Sequence, residues 1–70
     1  MSDEIKTAEK ATAIAHSFIK KYRSFARPVK AIREDDAWLV DIDVGPLAAK
    51  IAKVKIDAKT GDILEYTIPA

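Results

Sequence analysis

The side chains able to do chemistry in this chain are few, and their spacing decides what they can do. His16 is the single histidine and is followed directly by Ser17. Successive residues on a helix point about 100° apart, so adjacency does not make a nucleophile and base of them. His16 lies off the apolar stripe, near Glu9, Thr12 and Lys20, without the convergent ligands a zinc ion needs, and reads as a surface histidine. Asp41 and Asp43 alternate with Ile42, which puts both on one strand face about 6.6 Å apart. Paired carboxylates can do acid–base work. Here lysines fall on the neighbouring strand, and the arrangement reads as an ionic ladder. Glu34-Asp35-Asp36 lacks the ligand count of a calcium loop, and Asp57 and Asp62 read as turn residues. No catalytic residue, cofactor or metal site is assigned, and the chain reads as non-enzymatic.

Lys20, Lys21, Arg23, Arg27 and Lys30 fall within eleven residues that contain no acid, with Tyr22 and Phe25 between them. The plainer reading is complementarity to the negative end of a helix, plus solubility. The alternative is a basic patch for an acidic partner such as RNA or DNA. The first is preferred, because both aromatics belong to the apolar stripe.

The 70 residues form one domain, residues 1–70. A chain this short buries only about 60% of its extended surface, enough for one small core and no deep catalytic chamber. Of the 49% apolar residues, 12 residues are alanine, so each large side chain matters. Twelve Lys and Arg against eleven Asp and Glu leave a net charge of +1, which is not the balance of a dedicated nucleic-acid binder. There is no cysteine, which excludes disulfides, zinc–thiolate sites and thiol catalysis. No apolar run approaches the ~18 residues of a membrane span, so no membrane partner is expected. The opening MSDEIKTAEK is polar and acidic, unlike a signal peptide, and a cytoplasmic location is expected.

Five elements must position these residues. Ala8, Ala11, Ile14, Ala15, Phe18, Tyr22 and Phe25 recur at three and four, predicting a helix over 3–25, capped by Ser2 or Thr7 and ended by Pro28. Ile19 flanks the stripe. From Val29 the period becomes two. A first strand over 29–34 turns at Glu34-Asp35-Asp36 into a second that carries Trp38, Val40, Ile42 and Val44. A two-residue Asp35-Asp36 loop is the preferred register. It pairs Val29 with Ile42 and Ala31 with Val40, and turns Ile32 outward. After Gly45-Pro46 a third strand carries Ala52, Val54 and Ile56, and a fourth carries Leu64, Tyr66 and Ile68. A three-residue Lys59-Thr60-Gly61 loop, with Gly61 left-handed, pairs Ile56 with Leu64 and Val54 with Tyr66. The expected fold is α+β, one N-terminal helix packed on a four-stranded antiparallel meander. The expected core is Ala11, Ala15, Phe18, Tyr22, Trp38, Val40, Ile42, Val54, Ile56, Leu64 and Tyr66.

With Ala8, Ala11 and Ala15 on the helix, the strand Trp38-Leu39-Val40-Asp41-Ile42 and the run Val54-Lys55-Ile56-Asp57-Ala58-Lys59-Thr60-Gly61-Asp62-Ile63-Leu64, the chain resembles the PepSY domain. That module occurs in propeptides of thermolysin-like metallopeptidases and in other bacterial and archaeal proteins. The final run is similar to the family's V-x-V-D-x-x-T-G-x-x-L close, and the strand to its aromatic-x-V-x-V. A cystatin-like protein shows much of the same pattern. The resemblance implies a small protein-binding, inhibitory or regulatory module of peptidase-inhibitor type, and brings no catalytic residues.

Such a module acts through a sheet edge or through the sheet face away from the helix. Ile32, Leu39, Ile51 and Ile63 are the expected binding residues, as an apolar strip on the outer face beside the ionic ladder. The expected partner is another protein or a second copy of the chain.

Overall fold

The computed structural model describes residues 5–69, with α1 at Ala8–Ile19, β1 at Arg27–Glu34, β2 at Ala37–Asp43, β3 at Ile51–Asp57 and β4 at Ile63–Thr67. The strands form one antiparallel sheet in the order β1-β2-β3-β4, and α1 packs on one face of it. The α+β architecture expected from the periodicities is the one observed.

The helix is shorter than its apolar pattern. It begins at Thr7, whose extended backbone frees Oγ1 to accept the Lys10 N–H at 3.2 Å. Ser2, Asp3 and Glu4 lie outside the described residues. Ile5 is not helical but clamped across the sheet end, its N–H donating to the Ala58 carbonyl at 2.6 Å. At the other end the Tyr22 and Arg23 N–H groups both turn back to the Ile19 carbonyl, and the helix stops. Twelve residues at about 1.5 Å each make a helix about 18 Å long. The chain then folds back, held by the His16 Nε2–H donating to the Ala26 carbonyl at 3.0 Å.

The buried stripe is therefore Ala11, Ala15 and Ile19, one residue per turn and all inaccessible. The two alanines let the helix axis approach Trp38, Val40 and Ile42 of β2 and Ala52, Val54 and Ile56 of β3, all buried. Ile5, Val44 and Ala58 complete the core. Ile19, placed on the flank by the pattern, is at its centre. Phe18 is half-buried, and Tyr22, Leu64 and Tyr66, expected in the core, are about half exposed. The cause is the position of α1, which lies over β1, β2 and the near side of β3 and reaches β4 only through side chains such as Phe18.

Two one-residue bulges adjust the registers. In the first hairpin Asp35 takes the left-handed φ of 53°, Glu34 faces Ala37 and Ala31 faces Val40, as the two-residue loop requires. Beyond Lys30 the register shifts at Val29, so that Pro28, not Val29, faces Ile42. In the last hairpin Asp57 and Asp62 close a four-residue loop, not three. The Asp57 carboxylate accepts the Lys59 N–H at 2.8 Å and the Thr60 N–H at 3.4 Å, and Gly61 is left-handed with φ 82°. Ile56 then faces Ile63, and the bulge at Leu64 restores the expected pairs Lys55–Glu65 and Val54–Tyr66.

Candidate functional site

With α1 on one face, the opposite face of the sheet is open. Its rows follow from the register: Ile32 beside Leu39 beside Lys55 beside Glu65, and Lys30 beside Asp41 beside Lys53 beside Thr67. Ile32 is 47% exposed and Leu39 lies half-buried against it. Asp41 sits between two lysines, 3.9 Å from Lys30 Nζ and 3.6 Å from Lys53 Nζ. Both lysines are largely exposed, so these pairs add little stability. They place both signs of charge beside the Ile32–Leu39 pair.

The four expected binding residues do not form one strip. Ile51 shares the outer face but lies at its far end, opposite Asp43, with the Asp41–Lys53 pair between it and Leu39. Ile63 is turned to the helix side, half-buried near Ile14 and Phe18. The Leu64 bulge is the reason, because it exchanges the faces of Ile63 and Leu64 relative to a regular pairing.

Asp43 departs from the ladder. It faces Ile51, not a lysine, and is 5% exposed. Its Oδ1 accepts the Gly45 N–H at 3.0 Å and the Lys50 N–H at 3.2 Å, and Oδ2 accepts from Arg27 at 3.3 Å. The Gly45 and Lys50 amides, with the Arg27 charge, outweigh partial burial and hold this carboxyl below its ordinary value. Asp43 thereby closes the loop 44–50, which the Val44 N–H to Lys50 carbonyl bond of 2.8 Å also ties. A Cβ on Gly45 would collide with the Ala48 carbonyl, so the turn admits only glycine. The loop presents Leu47 fully to solvent. The sequence signal for this anchor was an aspartate two residues before Gly45-Pro46, which strand alternation masked.

The five bases divide between two layers. Lys20, Lys21 and Arg23 sit at the end of α1, where Lys20 Nζ donates to the Ser24 carbonyl at 2.8 Å and Arg23 Nη2 to the Pro69 carbonyl at 3.2 Å. Arg27 and Lys30 face the other side, toward Asp43 and Asp41. His16 is spent on the Ala26 carbonyl. Among the described residues no three His, Asp or Glu side chains converge in a metal-binding group. No helix among them is long and apolar enough to cross a membrane.

A feature absent from the sequence reading stands beside β4. Phe18 meets Tyr66 edge-on at 4.8 Å between ring centroids and Tyr22 at 5.4 Å, and Tyr22 stacks on Tyr66 at 6.2 Å. The i, i+4 spacing of Phe18 and Tyr22 was visible, but their meeting with Tyr66 depends on which strands the helix overlies. The chain matches no protein-family model, no curated protein and no solved structure.

Proposed function

We propose that the chain is a non-enzymatic protein-binding module of PepSY type, inhibitory in role, and that its outer sheet face receives the partner. The observation that carries this reading is the one-sided helix. It leaves a four-stranded face on which Ile32 and Leu39 form an apolar pair framed by the Lys30–Asp41–Lys53 group and by Lys55 and Glu65. A partner side chain placed over Ile32 and Leu39 removes their remaining surface from water, and the surrounding charges orient it.

The test is inhibition of a thermolysin-like metallopeptidase by the purified protein. Saturable inhibition is expected, weakened about tenfold or more by Leu39→Lys and unchanged by Ala13→Lys on the exposed side of α1. Far-UV circular dichroism confirms that both variants fold. Absence of inhibition at high micromolar protein overturns the inhibitory role. Inhibition indifferent to Leu39→Lys overturns the assignment to this face.

A further inference from the structure

The two edges of the sheet are not alike. Each edge strand carries one bulge, at Val29 in β1 and at Leu64 in β4, but β1 also has Pro28 inside the strand and the charges Arg27, Lys30, Arg33 and Glu34, which discourage strand pairing. β4 has one charge, Glu65, and no proline within it. It also bears exposed apolar side chains, Leu64 at 53% and Tyr66 at 50%, with Tyr22 beside them.

The backbone of β4 points the same way. The Val44 N–H bonds to the Lys50 carbonyl, and the Ala58 N–H to the Asp36 carbonyl. Antiparallel ladders alternate hydrogen-bonded and non-hydrogen-bonded pairs, so the even-numbered residues of β3, Val54 among them, direct their N–H and C=O to β2. Consistently, Asp57 spends its N–H on Asp62 in the other direction. Tyr66 faces Val54, and its own N–H and C=O therefore turn to the open edge.

We infer that β4 pairs antiparallel with β4 of a second copy about a two-fold axis at Tyr66, making a continuous eight-stranded sheet. Symmetry and side-chain pattern select this register. A two-fold pairing that matches faces must oppose residues of the same parity, which leaves an axis at Glu65, at Tyr66 or at Thr67, each facing its own copy. Glu65 opposite Glu65 sets like charges together. Centring on Thr67 sets Tyr66 and Glu65 against Ile68 and Pro69, beyond the end of β4, and leaves Thr67 alone paired strand to strand. Centring on Tyr66 sets Tyr66 against Tyr66 of the second copy and Glu65 against its Thr67. On the outer face the row then runs Lys53, Thr67, Glu65 of the second copy, Lys55 of the second copy, with no like charges adjacent. On the helix face the Phe18, Tyr22 and Tyr66 rings of both copies meet in one seam. This association is independent of the outer-face reading and leaves Ile32 and Leu39 open.

Sedimentation velocity and light scattering over a concentration series give the oligomeric state. A dimer is expected, with its dissociation constant raised about tenfold or more by Tyr66→Lys. Register is read by cross-linking, for which the absence of native cysteine gives a clean background. In an oxidising mixture of Glu65→Cys and Thr67→Cys proteins, the hetero-linked pair is expected to dominate over either homo-linked one, since facing Cα atoms lie about 4.5 Å apart in such a pair. A monomer at every concentration overturns the inference. So does a dimer that survives Tyr66→Lys, or preferential self-linking of Glu65→Cys.

Discussion

Trp38 and Ile5 are joined by one buried hydrogen bond, the indole Nε1–H donating to the Ile5 carbonyl at 2.9 Å. With the Ile5 N–H on the Ala58 carbonyl, this bond holds the segment before α1 across the end of β2 and β3. Trp38→Phe keeps most of the apolar volume but leaves that carbonyl unpaired. A loss of about 1–3 kcal/mol is expected in urea denaturation, together with faster amide exchange at Ile5. Unchanged exchange at Ile5 would show that the clamp does not depend on the indole.

Asp43 makes the protein sensitive to acid in a defined direction. Its carboxyl is held below the ordinary value by the Gly45 and Lys50 amides and by Arg27. The stabilisation it provides is complete above the unfolded carboxylate range, near pH 4, and is lost as pH falls through the depressed folded value. Asp43→Asn should lower stability at neutral pH, and the gap between variant and wild type should close toward pH 2. Denaturation curves across this range check it. A gap independent of pH would place the effect in packing and not in charge.

Gly45→Ala forces the 44–50 loop to rebuild, since the new methyl group would overlap the Ala48 carbonyl. A loss of about 2 kcal/mol is expected. In NMR spectra the largest shifts should fall on the Gly45 and Lys50 amides, the two that Asp43 accepts.

Gly61 supplies the left-handed residue of the last hairpin. A side chain there meets Ile5 Cδ1 at 3.4 Å, which is ordinary contact, so the cost is conformational. Gly61→Ala is expected to lose about 1 kcal/mol and Gly61→Asn less, because asparagine tolerates this region better. Equal losses for the two would locate the cost in the Ile5 contact.

Ile19 and Tyr22 look similar in the sequence pattern but stand in different places. Ile19→Ala should cost about 2–5 kcal/mol, as expected for a buried side chain. Tyr22→Ala should cost about 1 kcal/mol, the scale of one aromatic contact. Thermal denaturation of the pair decides whether the core is centred on Ala11, Ala15 and Ile19.

Strand periodicity made the meander legible. Trp38, Val40, Ile42, Val54 and Ile56 alternate, and all five face the helix. What the pattern did not carry was set by geometry beyond any single element. The helix stops where the Tyr22 and Arg23 amides turn back to the Ile19 carbonyl, and the exposure of Tyr66 depends on which strands the helix overlies. Ile63 was misplaced because an Asx turn at Asp57 lengthens the hairpin loop, which periodicity does not report. On the open face, Ile32 and Leu39 were placed correctly by alternation, whereas Asp43 was read as one rung of a ladder when its partners were loop amides.

The longer loop and the bulge at Leu64 have a joint consequence. Nine residues separate Lys55 from Glu65, and a tip of that length has two registers. One is the observed four-residue loop with a bulge. The other is a three-residue loop without one, in which Leu64 and Ile63 trade faces. The two differ only at the tip, since every pair from Lys55–Glu65 onward is the same in both. Asp57 is the catch between them, since its grip on the Lys59 and Thr60 amides belongs to the longer loop. The Asp57 turn, with the backbone bonds from Asp57 to Asp62 and from Gly61 to Asp57, thus accompanies the choice of Ile63 as the aliphatic side chain that β4 turns toward the helix.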